Sequence, residues 1–305
     1  MDTAAQVVIG LGEVLWDCFP DSRRPGGAPA NVAYQAAQLG HHGIVVSRVG
    51  DDVLGRELRK YLDERGLDTQ HIQTDPDRPT GRVTVNTANP DRPTFVIHED
   101  VAWDSIAFDE ELEQVFAGAS AVCFGTLAQR SEISRQTIHR CLAAARTALV
   151  VYDVNLRQLW YRREWIEQSL HAAAVVKLNC DEVGVLASLL QIGTSEPHGF
   201  AAALQRGFGV QIVCITRSEH GCLVVGPDEV VDTPGRDVEV VDAVGAGDAF
   251  TAAFISGILR QWPLSAATVF ANEVGTLMVT RPGAMPAIAD ELAELVARFK
   301  PGSAE

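Results

Sequence analysis

Basic residues are scarce in this sequence: 25 Lys and Arg stand against 40 Asp and Glu among 305 residues, a formal net charge of −15. A protein that binds nucleic acid needs a basic face for the phosphate backbone, so this balance disfavours nucleic acid as a partner. A nucleotide is not excluded, because its phosphates need only a local positive site.

Long hydrophobic runs are also lacking, and none reaches the length that spans a bilayer. No basic region precedes the apolar beginning of the chain, and Asp2, Glu13 and Asp17 interrupt it, which argues against a signal peptide. The six cysteines are scattered without a C-x-x-C pair, a usage typical of buried thiols in a reducing compartment. We therefore expect a soluble, cytoplasmic protein that does not contact membranes.

Several common catalytic signatures are missing. There is no G-x-x-x-x-G-K-[ST] loop and no G-x-S-x-G nucleophile elbow. Gly10 and Gly12 are not followed by the third glycine of a dinucleotide fingerprint. The eight histidines show neither H-x-x-x-H nor His–Cys spacing, so a histidine metal centre is not indicated.

What the chain does contain is an alternation of short apolar β-rich runs with helical patterns, at 47% hydrophobic residues. This predicts a single α/β domain over 1–305 with a mostly parallel sheet covered on both faces. Predicted strands lie at 6–15, 43–49, 121–126, 148–155, 174–179, 211–216 and 222–226. Predicted helices lie at 30–39, 51–65 with Asp51 as N-cap, 131–146, 162–171, 180–191, 200–207, 247–260, 263–279 and 288–299.

The alternation breaks at residues 80–103. Two β-rich runs, 82–86 and 94–98, flank a turn-rich segment at 89–93, which predicts a half-exposed β-hairpin. The Pro- and Gly-containing segment 19–29 is predicted to be a loop. Since parallel sheets bind ligands at the carboxyl ends of their strands, polar residues that follow predicted strands should share one cleft.

The stretch at 242–250, Asp-Ala-Val-Gly-Ala-Gly-Asp-Ala-Phe, is the most informative in the chain. Gly245, Ala246 and Gly247 precede an apolar helical run, so backbone N–H groups and the positive end of a helix would converge there. This favours an anion site for phosphate. Asp248 would repel phosphate, and general-base duty toward a substrate hydroxyl would explain it. The alternative is a Gly-rich turn in which Asp248 only serves the helix dipole.

Polar residues after the first predicted strand could bind a polyol. Gly26 and Gly27 permit close approach of a ligand to the backbone, and Asn31 offers both a donor and an acceptor. Asp17 could accept two hydroxyl hydrogen bonds from a sugar. The plainer interpretations are an exposed Asn31 at a loop–helix junction and surface charge at Asp17.

Two further strand ends carry polar side chains. Asp153, Asn155 and Arg157 have the alternate spacing that would place all three on one side of an extended segment. Asn179 and Glu182 could meet a phosphate and, through water, Mg²⁺. They could equally form the capping box of the helix that follows, and both interpretations can hold together.

Two more positions are weaker candidates. Thr216 and Arg217 end another predicted strand, where a hydroxyl and a guanidinium could contact phosphate oxygens, unless Arg217 is simply solvated. Backbone carbonyls near Gly283 could coordinate a cation beside Asp242, an idea to which the residues alone give little weight.

The motifs at 26–31, 179–182 and 242–248 together closely resemble those of the ribokinase-like (PfkB-type) carbohydrate kinases, over nearly the whole chain. The resemblance implies a ribokinase-like fold whose small β-sheet lid is formed by about 14–28 and 80–103, with ATP and Mg²⁺ as ligands and K⁺ in some members. It implies Asp248 as the base and Gly245, Ala246 and Gly247 as the anion hole. It implies sugar contacts at Asp17, Gly27, Asn31 and Arg157. It implies nucleotide contacts at Asn179, Glu182, Thr216, Arg217 and Gly247. It also implies a water-mediated Mg²⁺ contact at Glu182 and a monovalent-cation site at Asp242 and Gly283.

Within that family, the Asp153-x-Asn-Leu-Arg157 motif and the stretch 101–104 are similar to those of fructokinases. 2-Keto-3-deoxygluconate kinases typically carry an arginine in the lid, where this chain has His98, so a neutral sugar is favoured. Ribokinase and nucleoside kinase activities stay open as alternatives. Ala243 and Ser218 depart from the Thr and Gly that are common in the family.

Two expectations concern the molecule as a whole. A half-exposed lid sheet could join two copies of the chain into a homodimer, as in some relatives. A non-catalytic sugar-sensing protein is the alternative from another class, and it would be expected to have lost Asp248 or the glycines beside it. Both are intact, which favours the enzyme.

Overall fold

The computed structural model describes residues 5–86 and 94–299. In chain order the strands are β1 (Val7–Leu11), β2 (Leu15–Cys18), β3 (Arg23–Gly26), β4 (His42–Gly50), β5 (Ile72–Asp75), β6 (Arg82–Asn86), β7 (Thr94–Ile97), β8 (Ala121–Gly125), β9 (Leu149–Asp153), β10 (Val175–Asn179), β11 (Ile212–Thr216), β12 (Cys222–Val225) and β13 (Val230–Thr233). The α-helices are α1 (Ala28–Gln38), α2 (Val53–Asp63), α3 (Glu110–Ala117), α4 (Glu132–Ala144), α5 (Arg163–Ala172), α6 (Cys180–Leu190), α7 (Pro197–Phe208), α8 (Ala246–Leu259), α9 (Leu264–Val279) and α10 (Ala289–Arg298).

The large sheet has the strand order β13-β12-β11-β10-β9-β8-β1-β4-β5 within the described residues. Neighbouring strands from β5 to β11 run parallel, and β12 and β13 are added antiparallel at one edge. β8 is buried at every residue, as expected for a parallel strand covered by helices on both faces. The predicted α/β class with a mostly parallel sheet is confirmed.

A crevice is expected at β1, because the order of the strands reverses there. β4 pairs with one side of β1, whereas β8, much later in the chain, pairs with the other. Such a reversal opens a cleft at the carboxyl ends of the strands. The connections that leave these ends carry most of the polar residues singled out in the sequence.

A second, small sheet has the order β3-β2-β6-β7. β6 and β7 form the predicted antiparallel hairpin, and the predicted turn at 89–93 lies outside the described residues. Val83, Val85 and Ile97, on one face of this sheet, are buried in the main core, whereas Val96, on the other face, is exposed. The small sheet therefore has a covered face and an open one, in line with a half-exposed hairpin.

α8 carries the informative stretch into the core. Every residue from 249 to 257 is buried, because α8 packs against both α1 and α9. A helix that is apolar nearly all round is typical of a fully enclosed position. Its first turn, which holds Gly247 and Asp248, is the part that stays accessible.

Three predicted boundaries were wrong. The strand predicted at 6–15 is two strands, because the chain turns at Gly12, whose φ is +146°. The loop predicted at 19–29 contains β3, in which Pro25 is tolerated because β3 is an edge strand of the small sheet. The N-cap of α2 is Asp52, not Asp51: Asp52 has extended backbone angles and accepts a 2.7 Å hydrogen bond from the Gly55 N–H.

Some elements were not predicted at all. β2, β5 and β13 are short, and α3 is an eight-residue helix whose N-cap Asp109 accepts from the Leu112 N–H at 2.8 Å. Over 5–86 and 94–299, none of the helices combines the length and apolar character needed to cross a membrane.

Candidate active site

The first turn of α8 lies at the bottom of the crevice. Gly245 is its N-cap with φ +80°, a conformation that glycine adopts without strain, and the Cα of Ala284 leaves only 2.7 Å for any added Cβ. Within the described residues, no side chain caps this helix. Its free N–H groups and the positive end of its dipole are therefore available to an anion, as the sequence predicted.

Asp248, in the same turn, is held by a residue from the other end of the chain. The side-chain amide of Asn31, on α1, donates a 2.7 Å hydrogen bond to Oδ2 of Asp248. Burial raises the pKa of Asp248 to about 6, and the charge of Asp153 adds to the rise, while the bond from Asn31 and the charges of Lys177 and Arg157 oppose it. At neutral pH the group is therefore an ionised carboxylate that can accept a proton.

Asn31 has capacity left for a ligand. Its Oδ1 is buried and has no hydrogen-bond partner among the described residues. Gly27, the N-cap of α1 with φ +116°, allows the turn that aims Asn31 into the crevice, since a Cβ there would lie 2.3 Å from the carbonyl oxygen of Glu13. An unsatisfied buried amide oxygen beside Asp248 is suited to accept a hydrogen bond from a hydroxyl group.

Asp17 and Arg157 reach the same region from two sides. Asp17, on β2, is partly buried against Gly26, since a Cβ added to Gly26 would lie 2.7 Å from Oδ2 of Asp17. Burial raises the pKa of Asp17 to about 6, and the charges of Arg157 and Arg24 oppose this rise. The Arg157 charge likewise acts on Glu13 and Asp248. The predicted sugar contacts Asp17, Gly27, Asn31 and Arg157 thus face one cleft.

The expectation that Asp153, Asn155 and Arg157 lie on one side of an extended segment was wrong. Asn155 has a φ of +42°, so the segment turns instead of continuing the strand. Asp153 consequently points into the core, 2% exposed, and Arg157 is exposed at the cleft.

Asn179 and Glu182 form the capping box of α6. The Glu182 N–H donates to Oδ1 of Asn179 at 2.9 Å, and the Asn179 N–H donates to Oε2 of Glu182 at 2.8 Å. Oε1 of Glu182 also accepts from the Leu156 N–H at 2.7 Å. With both oxygens engaged and the residue 5% exposed, Glu182 has lone pairs left only for a contact relayed by water.

Thr216 and Arg217 differ in what they offer. Thr216 ends β11 beside Asn179 of β10 and is partly exposed. Arg217 turns to the edge of the sheet, where its guanidinium pairs with Asp232 and donates to the Cys222 carbonyl at 3.0 Å. The position of Thr216 agrees with a nucleotide contact, whereas Arg217 already has a carboxylate partner.

Asp242 and Gly283 are neighbours, as the sequence anticipated. Oδ2 of Asp242 accepts from the Gly283 N–H at 3.0 Å, and Oδ1 accepts from the Val244 N–H at 3.0 Å. Arg24, on β3 of the small sheet, donates to the same Oδ2 at 3.1 Å. The Asp242 carboxylate thus joins the small sheet to the loop before α8.

Two buried residues below the first turn of α8 were not predicted as site residues. Lys177, on β10, donates to Oδ1 and Oδ2 of Asp153 at 3.1 and 3.2 Å. Thr251 donates to the Gly247 carbonyl at 2.9 Å and lies 3.3 Å from Oδ2 of Asp153. The signal in the sequence was the apolar residues on either side of Lys177, which indicate that its ammonium is buried and needs a partner.

Glu13 is a further residue that the sequence did not assign to the site. It is 4% exposed, and Oε2 has no hydrogen-bond partner within 5–86 and 94–299. Burial raises its pKa to about 7, while the charge of Arg157 opposes the rise and that of Asp248 adds to it. Glu13 therefore belongs to the same electrostatic cluster as Asp248.

The described part of the chain contains no group of three or more His, Cys, Asp and Glu that could hold a metal ion. A divalent cation that arrives with the phosphates of a ligand could contact the protein through water. The engaged carboxylate of Glu182 fits such a contact.

Comparisons with known proteins identify the family of the chain. Residues 9–291 match the family described as pfkB family carbohydrate kinase. A sugar kinase of Pyrococcus horikoshii is 32% identical over 304 residues, which cover 93% of each chain. A fructokinase of Salmonella typhimurium is 30% identical over 297 residues, which cover 91% of this chain and 94% of the relative.

Solved structures show the same fold. The Pyrococcus horikoshii kinase in complex with ATP superposes with a TM-score of 0.80 at 29% identity, over 94% of this chain and 97% of that one. A Vibrio cholerae fructokinase in a form with bound fructose, ADP and calcium gives a TM-score of 0.79 at 25% identity, over 98% and 100% of the two chains. The ribokinase-like fold with its small separate sheet is confirmed.

Proposed function

The chain belongs to the pfkB family of carbohydrate kinases, and from this premise we propose that it transfers the γ-phosphoryl group of ATP to a primary hydroxyl of a monosaccharide, with fructose as the preferred acceptor. One observation carries the proposal most directly. Asp248, an ionised carboxylate at neutral pH, lies in the same helical turn as the uncapped N–H groups of α8. A proton acceptor and an anion site are thus side by side.

On the sugar side, Asp17, Asn31 and the backbone near Gly27 hold the acceptor. Asp17 accepts hydroxyl hydrogen bonds, and Oδ1 of Asn31 gains a partner that the described residues do not provide. Asp248 then takes the proton of the primary hydroxyl as its oxygen attacks the γ-phosphorus. The oxygen–phosphorus bond forms, the bond from the γ-phosphorus to the bridging oxygen breaks, and ADP leaves.

On the nucleotide side, the N–H groups of the first turn of α8 receive the transferred phosphoryl group. Thr216 and Asn179 lie along the adjacent strand ends, where the rest of the triphosphate would run. Mg²⁺ bound to those phosphates would neutralise their charge, with Glu182 reaching it through water. The ATP and ADP complexes of the two relatives support nucleotide binding at this cleft.

The small sheet acts as a lid over the sugar. Asp17 lies on β2 of this sheet, while Asn31 and Asp248 lie on the main body, so a bound sugar would contact both. Closing the lid would exclude water that could otherwise hydrolyse ATP. The lid comprises about 14–28 and 80–103 within a single kinase domain.

A neutral sugar is favoured over 2-keto-3-deoxygluconate by β7 and the residue that follows it, the part of the lid where those kinases typically carry an arginine. β7 carries no basic residue among its described positions, and His98, just after it, donates or accepts a 2.8 Å hydrogen bond with Thr84. Burial lowers the pKa of His98, with help from the charge of Arg82, so the imidazole is neutral at neutral pH. The fructokinases of Salmonella typhimurium and Vibrio cholerae support fructose as the first candidate.

A panel of acceptors tests the proposal. Purified protein with Mg²⁺ and ATP is assayed for ADP release with fructose, ribose, 2-keto-3-deoxygluconate and adenosine. We expect the highest kcat/KM with fructose, and phosphorylation at a primary hydroxyl as judged by ³¹P–¹H NMR. A higher kcat/KM for any other acceptor would overturn the choice of fructose. Absence of sugar-dependent ADP release with every acceptor would overturn the kinase and leave a sugar-binding protein.

A monovalent cation can be proposed beside Asp242. The carboxylate already accepts from the Gly283 and Val244 N–H groups, so K⁺ would bind mainly through backbone carbonyls of the same loops. Replacing K⁺ by tetramethylammonium tests this: a drop in kcat is expected with such a site, and unchanged kinetics would argue against it.

We also propose that the lid joins two chains into a homodimer. β7 forms one edge of the small sheet, and Phe95 and Val96 on it are each 54% exposed. An open edge with exposed apolar residues is a template for pairing. Light scattering should show a dimer for the wild type and a monomer for Phe95→Ser. A monomeric wild type would refute the assembly.

A further inference from the structure

The buried ion pair of Asp153 and Lys177 lies directly beneath the anion site. Its side chains are 3% and 9% exposed, and the ammonium contacts both carboxylate oxygens. A Cβ added to Gly247 would lie 2.8 Å from Nζ of Lys177. The ammonium therefore packs against the backbone of the turn that would receive a phosphoryl group.

The pair is also connected to that turn by a hydroxyl group. Thr251 donates a 2.9 Å hydrogen bond to the Gly247 carbonyl and lies 3.3 Å from Oδ2 of Asp153. β9, β10 and the first turn of α8 are thus linked through three polar side chains. Because Lys177 fills the space beneath residue 247, only glycine fits there without displacing the ammonium.

Stability alone does not account for such a pair. Removing two charges from water costs several kcal/mol per ion, and well-packed apolar replacements of buried pairs are often neutral or stabilising. The position of this pair suggests another reason: both of its charges act on Asp248, with opposite sign. Lys177 in turn is kept charged, since the carboxylates of Asp153, Asp248 and Glu182 oppose the effect of burial and raise its pKa.

We propose that Asp153 and Lys177 are a positioning pair that supports the first turn of α8 from below and sets the charge state in which Asp248 meets the substrate hydroxyl. The second part rests on the proposed kinase function. The two residues act through Asp248 and the backbone of Gly247, and neither reaches the substrate.

The proposal predicts opposite effects for the two members. In Lys177→Met, Asp248 loses a cationic neighbour and keeps the Asp153 carboxylate, so it ionises at higher pH, by roughly one pH unit. In Asp153→Asn, Asp248 loses an anionic neighbour, so it ionises at lower pH by a similar amount. The double variant should fall between the single variants. A purely structural pair would not produce shifts of opposite sign.

The other groups that face Asp248 are the same in every variant. They are Asn31 on α1, Glu13 between β1 and β2, Arg157 after β9, and the thiol of Cys123 on β8, whose pKa burial raises well above its ordinary range. Any relative shift among the variants therefore reports the pair.

The titration is measured directly, without substrate. Protein labelled with ¹³C in the aspartate carboxyl groups is titrated by NMR, and the Asp248 signal is assigned by its loss in Asp248→Asn. Arg48→Met is the matched control, because it removes the cation of a partly buried pair, Arg48 with Asp75, that does not act on Asp248. We expect it to lower the melting temperature and to leave the Asp248 titration in place.

The pH dependence of kcat/KM with the best acceptor of the panel gives the second readout. Its acid limb should move with the NMR titration in each variant. If the single variants leave both readouts unmoved, or move them in the same direction, the proposal is overturned. If Lys177→Met does not fold, Asp153→Asn and the double variant decide by the same rule. Asp248 should then ionise at a lower pH in Asp153→Asn than in the double variant. If no acceptor is phosphorylated, the proposed function fails, while the NMR titration still decides on the pair.

Discussion

The amide of Asn31 donates a 2.7 Å hydrogen bond to Oδ2 of Asp248, although 217 positions separate the two residues in the chain. The contact joins the N-terminal turns of α1 and α8, and it places the two most distant motifs of the sequence at one point. The bond occupies one oxygen of Asp248 and fixes its orientation, so Oδ1 is the oxygen that remains for a substrate hydroxyl.

Replacing Asp248 with Asn should lower kcat by ~10² or more, because an amide cannot take the proton of the hydroxyl. The change keeps the size of the side chain, so the affinity for ATP and the melting temperature should change little. Steady-state kinetics, calorimetric titration with ATP and thermal unfolding measure the three quantities. Asp181→Asn, an exposed acidic residue in the first turn of α6, is the control and should behave as the wild type. Turnover near the wild-type rate in Asp248→Asn would remove Asp248 from the role of base.

The pH dependence of catalysis should follow the ionisation of Asp248. Its pKa of about 6 in the free protein predicts that kcat/KM falls as the pH drops through that value, because the protonated carboxyl group cannot accept a proton. Asn31→Ala removes a hydrogen bond that lowers this pKa, so the acid limb should move to higher pH. Asp17→Asn is the control for the other carboxyl group with a pKa of about 6. It should raise KM for the sugar and leave the acid limb of kcat/KM at the same pH, and a limb that disappears in Asp17→Asn would mean that Asp17 is the titrating group.

Gly27→Ala should be far more damaging than Gly40→Ala, although both glycines have a positive φ. A Cβ at Gly27 would lie 2.3 Å from the Glu13 carbonyl oxygen, whereas at Gly40 no atom lies within 4 Å. We expect urea unfolding to show a loss of about 1 kcal/mol for Gly40→Ala, from backbone strain alone, and about 3 kcal/mol or more for Gly27→Ala. Only Gly27→Ala should raise KM for the sugar. Equal losses of stability would show that the close approach is relieved by a shift of the backbone.

Much of the large sheet could be predicted from the sequence, because its signals are local. β8 to β11 are continuous apolar runs, and their predicted limits agree with the structure to within about two residues at each end. α8 was recognised for the same reason. Local patterns indicated the small sheet only through the β6–β7 hairpin, and the segment 14–28 was assigned to the lid only through the family resemblance, because β3 lacks the composition of a strand. Arg23 and Arg24 do not look like strand residues, and pairing with β2 holds them extended.

The candidate site divides in the same way. Asp248, Asn31 and Asn179 stand in short motifs whose glycines or caps are visible in the sequence. Lys177 and Asp153 become a pair only because β9 and β10 are neighbours in the sheet, with Lys177 in register with Asp153. Asn155 was misplaced because a single residue with positive φ turns the chain. Asparagine is enriched at positive φ, but most asparagines do not adopt it, so the residue type alone does not predict the turn.

Arg24→Gln should weaken sugar binding by loosening the lid. Arg24 on β3 donates to Oδ2 of Asp242 on the main body, and an exposed pair of this kind is worth up to about 1 kcal/mol. We therefore expect KM for the sugar to rise up to about fivefold, with kcat nearly unchanged. High salt should raise KM of the wild type toward that of the variant, since salt screens exposed charges. Arg23→Gln, which breaks the neighbouring pair with Glu57, is the matched control. If the two variants change KM equally, the contact with Asp242 has no special part in closing the lid.

Glu13→Gln should change how stability depends on pH. Burial raises the pKa of Glu13 from its ordinary value of 4.5 to about 7, so the folded state holds a proton that the unfolded chain releases between these pH values. The contribution of Glu13 to stability is therefore fully present below about pH 4.5 and is lost as the pH rises through about 7. The neutral amide of Glu13→Gln has no such loss, so its free energy of unfolding relative to the wild type should rise by about 2 to 3 kcal/mol across this window.

Urea unfolding at a series of pH values measures this difference, and Glu113→Gln, an exposed residue of α3, is the control whose difference from the wild type should stay constant. Because the comparison is made between variant and wild type at each pH, titrating groups that do not interact with Glu13 cancel. A constant difference for Glu13→Gln as well would mean that Glu13 is ionised in the folded protein at low pH. Its buried Oε2, which has no partner in the described part of the chain, would then have to be stabilised as a charge by Arg157 and Arg130. Opposing charges of that kind would have to outweigh full burial, which is the largest influence on this carboxyl group.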